Sequence, residues 1–174
     1  MQLSYSSIPE MVLSQAKRYG EKPVMRAKRN GTWERITWNG LIESARNTAL
    51  GLASLGLKEG DRVSILSENR PEWAVADLGT LFAGGFDAPI YTTNTPEQCA
   101  YIVRDCGARF IFVSTGLLLA KILEKLDTMP TLEKIICFDS PESRGNEKIM
   151  TLENLQEIGK AFTDKSVIEG RIAR

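Results

Sequence analysis

Histidine is missing altogether from the 174 residues. With it go the Ser–His and Cys–His nucleophiles and most zinc sites. Net charge is missing as well: 22 Lys and Arg balance 22 Asp and Glu. That balance leaves no electrostatic basis for nucleic acid or an acidic membrane as a partner. A mild asymmetry, 10 basic against 6 acidic residues in 1–62 and 12 against 16 in 63–174, is small enough for a solvated surface. Cysteine is scarce and odd in number. Cys99, Cys106 and Cys137 contain no CxxC spacing, so neither a disulfide framework nor a zinc knuckle is indicated, and the thiols read as reduced and partly buried. Long apolar runs are absent too. The most apolar stretch, Phe110 to Ala120, carries Ser114, Thr115 and Gly116 and falls well short of the ~18 residues a span needs. The first residues, Met1 to Tyr5, lack the basic and apolar regions of a secretion signal. A cytoplasmic chain with no transmembrane segment is the expectation.

What is present is ordinary: 43% apolar and 25% charged residues, the make-up of a globular chain that is one domain or part of a larger one. A helix is expected over Ile8–Tyr19, with Ser7 and Glu10 at capping-box spacing and Pro9 in the first turn. Two β-runs, 24–28 and 32–37, flank Asn30-Gly31, the pair best suited to a tight type I′ turn. A long helix from about Trp38 to Leu55 follows, its apolar face drawn from Leu41, Ile42, Ala45, Ala49, Leu52 and Ala53; Thr37 can cap its start and Gly56 its end. Trp33 and Trp38 are expected to pack the hairpin against this helix. From Asp61 short apolar runs centred on Ile65, Pro89 and Ile111, and a fourth over Lys134–Phe138, alternate with helix-like stretches at about Pro71–Ala83, Pro96–Asp105 and Gly116–Leu126. This rhythm marks βαβ units, and unbroken runs such as Val63-Ser64-Ile65-Leu66 mark strands covered on both faces. The fold class is therefore α/β: a mainly parallel sheet with helices on both faces, preceded by a helix, a β-hairpin and a long helix. A polar loop is expected over 140–148 and a short helix over Thr151–Ile158. Residues 161–174 read as a charged tail without periodicity, whose end looks cut.

Chemistry-bearing patterns are few. No GxGxxG follows a strand; Gly51 and Gly56 have phosphate-loop spacing, but Leu57-Lys58 stands where Lys-Ser/Thr is required and the pair closes a helix instead of opening one. Glu68 and Glu72 are four apart, yet a carboxylate at 72 is explained by the helix start it occupies. Cys99 and Cys106 share a helical face as buried small hydrophobes, and Trp73 reads first as core. Two segments stand out by position. Ser67–Trp73 and Tyr91–Gln98 each follow a strand and open a helix, with Asn69/Glu72 and Thr95/Gln98 at capping-box spacing. In a doubly wound sheet ligands bind beside such loops, although caps are needed with or without a ligand.

These segments also carry a resemblance. The run Val63–Trp73 (VSILSENRPEW), then Ala76-Asp77-Leu78, Ala83-Gly84, Pro89-Ile90-Tyr91, Pro96-Glu97-Gln98, Tyr101-Ile102 and Phe112-Val113, resembles the amino-terminal part of the adenylate-forming acyl-CoA synthetases. Within that superfamily it is most similar to bacterial long-chain fatty acid–CoA ligases, from about Ser7 onward. The resemblance implies an intact parent that uses ATP and Mg²⁺ to turn a fatty acid into an acyl-adenylate, from which the thiol of coenzyme A displaces AMP. The family's later elements, namely its phosphate loop, aromatic-Gly-x-Thr-Glu segment, ribose-binding Asp and C-terminal catalytic Lys, have no counterpart in 1–174. No catalytic residue and no metal ligand is carried over, and the fragment itself is expected to bind no cofactor and to be inactive alone.

The expectation is thus an amino-terminal subdomain fragment over 1–174: helix, hairpin and helix in 1–60, βαβ units in 61–160, a tail in 161–174. Asn69, Thr92 and Thr93 are its candidate substrate-binding residues, facing a cleft that the rest of the enzyme completes. The alternative is a non-catalytic self-association module, since family members are often homodimers through their amino-terminal regions. A free-standing nucleotide-binding domain is a weaker third reading, against which the missing glycine-rich loops count.

Overall fold

The computed structural model describes residues 5–141 and 146–172; the expected loop over 140–148 and the end of the tail lie partly outside them. Helix α1 (Ile8–Tyr19) is capped by the Ser7 hydroxyl, which accepts from the Glu10 N–H. The Glu10 carboxylate turns to Ser6, accepting 2.7 Å from its N–H, so only half of the expected capping box forms. Strands β1 (Pro23–Arg29) and β2 (Thr32–Thr37) pair antiparallel across Asn30-Gly31. Both turn residues have positive φ, 49° and 82°, as a type I′ turn demands. Thr37 caps α2 (Trp38–Ser54), and Gly56, at φ 89°, reverses the chain so that buried Leu57 donates back to the Leu52 carbonyl. Trp38 stacks on Tyr19 at 6.0 Å. Trp33 departs from expectation: it is 63% exposed on β2 and packs nothing against the helix. The hairpin is a two-stranded ribbon with one side turned to solvent, and Trp33 lies on that side.

Beyond residue 61 the sheet is wholly parallel. Strands β3 (Arg62–Leu66), β4 (Phe86–Ile90), β5 (Phe110–Val113), β6 (Lys134–Cys137) and β7 (Ile149–Thr151) lie in the order β4-β3-β5-β6-β7. Between them run α3 (Pro71–Phe82), α4 (Pro96–Cys106) and α5 (Gly116–Glu124); α6 (Leu152–Ala161) follows β7. Alternation along each strand divides the core in two. Val63, Ile65, Phe110, Phe112 and Ile136 face α1, α2, α3 and α6. Leu66, Ile111, Val113, Ile135 and Cys137 face α4 and α5. Helices thus cover both faces. The step from β3 to β4 crosses one face and the steps from β4 to β5 and on to β6 cross the other, in opposite directions, as crossovers of a single hand require.

Two elements were not foreseen. Strand β7 is three residues long, too short for a periodic signal. The tail read as aperiodic carries α7 (Ser166–Ile172), whose single buried side chain, Ile168, is 1% exposed in the core beside α2 and α3. One anchor in seven residues makes no pattern, yet it seats the helix. Arg171 fastens it further, donating to the carbonyls of Leu57 (3.2 Å) and Ala83 (2.7 Å).

Helices α2 and α6 touch backbone to backbone. A methyl added at Gly159 would overlap the Asn47 carbonyl oxygen, and one at Gly51 would overlap that of Leu155. Gly51 therefore serves helix packing inside α2. Because a carbonyl cannot rotate away as a side chain can, Gly159→Ala should destabilise the chain by about 1–3 kcal/mol despite alanine's better helix propensity. Urea midpoints measure this; an unchanged or raised midpoint would refute the close approach.

A second liability is electrostatic. Burial, the charge of Asp87 and a hydrogen bond to it push the Asp77 carboxyl from 3.8 up to about 6. Since the folded value lies above the unfolded one, ionised Asp77 costs stability above about pH 6. That cost fades as pH falls from there toward 3.8. Asp77→Asn should accordingly raise the melting temperature at pH 8, with the gain shrinking toward nothing at pH 4. Equal gains at both pH values, by differential scanning calorimetry, would contradict it.

Candidate functional site

The loops at the carboxyl ends of neighbouring strands part company at β3. The loop after β3 feeds α3 on one face, while the loops after β4 and β5 feed α4 and α5 on the other. A crevice opens at such a point because no helix start fills it. Ser67, Glu68, Asn69 and Trp73 from the first loop, with Pro89, Ile90, Tyr91 and Thr92 from the second, enclose a cleft of about 470 Å³. Two hollows of about 540 Å³ border α1, but no strand-end loop lines either.

Both walls are fixed in place. On the β4 side Thr95 and Gln98 form a complete capping box: the Thr95 hydroxyl accepts from the Gln98 N–H (3.3 Å) and the Gln98 side chain accepts from the Thr95 N–H (2.9 Å). Lys121, reaching across from α5, donates at 2.8 Å to the carbonyls of both Thr92 and Asn94. On the β3 side the expected Asn69/Glu72 box does not form. Arg70 is the N-cap and offers no side-chain cap. Two arginines claim Glu72 instead: Arg70 at 2.8 Å, and Arg29 of the hairpin. Arg70 also pairs with Asp139 at 3.0 Å and lies over the Phe138 ring. Burial pushes the Glu72 carboxyl up, but the bonds from Arg70 and its own backbone N–H, together with the charges of Arg70 and Arg29, more than reverse this and hold it below its ordinary value. Deeper in, Ser114 at the end of β5 donates to the Glu68 carboxylate.

Asn69 and Thr92 are thus brought together in one cleft; exposed Thr93 is not among the residues lining it. Trp73 packs partly against the core and also lines the cleft. Tyr91 was missed as a lining residue. Its position directly after a strand was the available signal, and at 83% exposure it is an aromatic ring without a cover. The arrangement offers amide, hydroxyl and aromatic groups and no activated nucleophile. Burial pushes the Cys99 thiol up and the Cys137 thiol to about 11, so both stay protonated. Among the described residues no group of three His, Cys, Asp or Glu could hold a metal ion, and no glycine-rich turn meets a helix start.

The family model for AMP-binding enzymes matches residues 12–166. The rat long-chain-fatty-acid–CoA ligase ACSBG1 is 36% identical over 166 residues, 95% of this chain and 23% of that protein. The Xenopus laevis ligase ACSBG2 is 32% identical over 93% of this chain. Among solved structures, the anthranilate CoA ligase AuaEII superposes with a TM-score of 0.79 at 21% identity, over 90% of this chain and 29% of that one. The adenylation–carrier didomain of a carboxylic acid reductase from Segniliparus rugosus superposes at 0.78 and 14%. The chain spans about a quarter of the length of the curated relatives it matches.

The capping box is what holds the Thr92 wall against α4. Thr95→Ala should cost about 1 kcal/mol of stability and raise amide exchange at Gln98. Unchanged protection there would show that Lys121 alone secures the turn.

Proposed function

The chain belongs to the family of AMP-binding enzymes, and from that premise we propose that it is the amino-terminal part of an ATP-dependent long-chain fatty acid–CoA ligase. The observation that carries this reading is 36% identity to such a ligase across 95% of the chain. In the proposed parent, ATP with Mg²⁺ activates a fatty acid carboxylate as its adenylate and the thiol of coenzyme A takes the acyl group. This chain's share is one pre-built wall. Asn69 and Thr92 are proposed to face the acyl substrate, with Trp73 and Tyr91 as apolar surface beside them. Adenylation gains from holding anions together in a set geometry more than from a protein nucleophile, which accords with a cleft that has fixed walls and no reactive side chain. The family's nucleotide-, metal- and coenzyme-handling elements are proposed to lie in polypeptide outside 1–174, since the chain spans about a quarter of its ligase relatives. Three free thiols suit a reducing cytoplasmic setting. Homodimer formation by the parent is part of the proposal, with exposed Ile8 and Met11 on α1 as its apolar surface.

Supplied with palmitate, ATP, Mg²⁺ and coenzyme A, the 174-residue chain alone should form no thioester. In the intact ligase, alanine at Asn69 or Thr92 should lower kcat/KM for the fatty acid by about tenfold, ~1.4 kcal/mol of transition-state binding. Turnover by the 174 residues, or unaltered kinetics in both variants, would overturn the reading.

A further inference from the structure

Strand β4 ends the sheet, and among the described residues nothing pairs with its outer side. The Phe86 N–H donates 2.9 Å to the Asp61 carbonyl, so by strand alternation the backbone groups of Phe86, Ala88 and Ile90 point at β3. Those of Asp87 and Pro89 point outward. The outer edge therefore offers one donor, the Asp87 N–H, and two acceptors, the carbonyls of Asp87 and Pro89. Exposed Phe86 (63%) and Tyr91 bracket it. In register, Asp87 stands beside Val63 and Pro89 beside Ile65, on the face that α3 covers. There Trp73 shares the cleft with Pro89, and Asp77, one helical turn further along, lies near enough to Asp87 to feel its charge. Neither carboxylate has a cationic partner among the described residues.

A proline and inward-facing charges are the devices by which sheets refuse indiscriminate edge pairing. Here they also select. A second copy laid against β4 would bring its own Asp77 and Asp87 to the same edge, four carboxylates where two already repel. A neutral strand would bury the pair further without compensating it. A strand bearing a cation opposite Asp87 converts repulsion into a charge-assisted pair as the backbone bonds form. We propose that the outer edge of β4 docks an extended polypeptide segment from outside residues 1–174, whose lysine or arginine seats between Asp77 and Asp87. Under the ligase reading the longer chain supplies this segment; docking itself needs no ligase activity, so the two ideas fail separately.

The test uses the 174-residue chain, labelled with ¹⁵N, and two blocked peptides, acetyl-TVKVTV-amide and acetyl-TVEVTV-amide, at about pH 8, above the range in which Asp77 titrates. The lysine peptide, by pairing with this carboxylate charge, should shift the Asp87 amide resonance and bind about tenfold more tightly than the glutamate peptide. In a chain carrying both Asp77→Asn and Asp87→Asn, with circular dichroism unchanged, that preference should vanish. Equal affinity for the two peptides, shifts centred away from β4, no binding of either peptide, or wild-type dimers that protect the Asp87 amide would each overturn the proposal.

Discussion

Everything in this molecule follows from burying β3 and β5 on both faces. Val63, Ile65, Leu66 and the whole of Phe110–Val113 are withdrawn from water, and at about 25 cal/mol per Å² of apolar surface burying such strands is strongly favourable. Two-sided burial requires helices above and below. With short connections and crossovers of one hand, that requirement sends the loops of adjacent strands to opposite faces. The cleft beside β3 is a by-product of this constraint, not a separate feature added to the fold.

The polar groups around the cleft serve its rigidity. Arg70 joins α3, the end of β6 through Asp139, and, by way of Glu72, the hairpin through Arg29. Lys121 ties α5 to the turn that carries Thr92. Each of these cations spends its hydrogen bonds on carbonyls and carboxylates of the same chain. Under the ligase proposal such a wall would present a substrate to chemistry performed elsewhere, in relatives about four times longer. The opposite design appears at β4, where, among the described residues, Asp77 and Asp87 have no cationic partner and the strand edge has no neighbour.

Legibility followed the range of the interaction. The Asn30-Gly31 turn, the Ser7, Thr37 and Thr95 caps, and the reversal at Gly56 each depend on a few adjacent residues, and each is found where the residues place it. The apolar runs of β3 and β5 were equally plain. Asn69 as the cap of α3 was wrong because Arg70 holds that position and Glu72 answers to arginines, one of them 43 residues away. Thr93 was grouped with Thr92 by adjacency, whereas the cleft takes Thr92 alone of the two. Helix α7 and strand β7 carry too few buried residues to form a period. The apposition of Asp77 and Asp87 rests on how α3 lies across β4, which no local pattern encodes.

Local chemistry in the chain was therefore enough to settle the alternation of strands and helices, the two-faced sheet and most helix ends, because propensity, capping and apolar period act within a few residues. Only packing in three dimensions decided which strands are neighbours, where the crevice opens, which of Asn69, Thr92 and Thr93 enter it, and which charges meet. Those outcomes depend on distances between residues tens of positions apart, and such distances exist only once both cores have closed on the sheet.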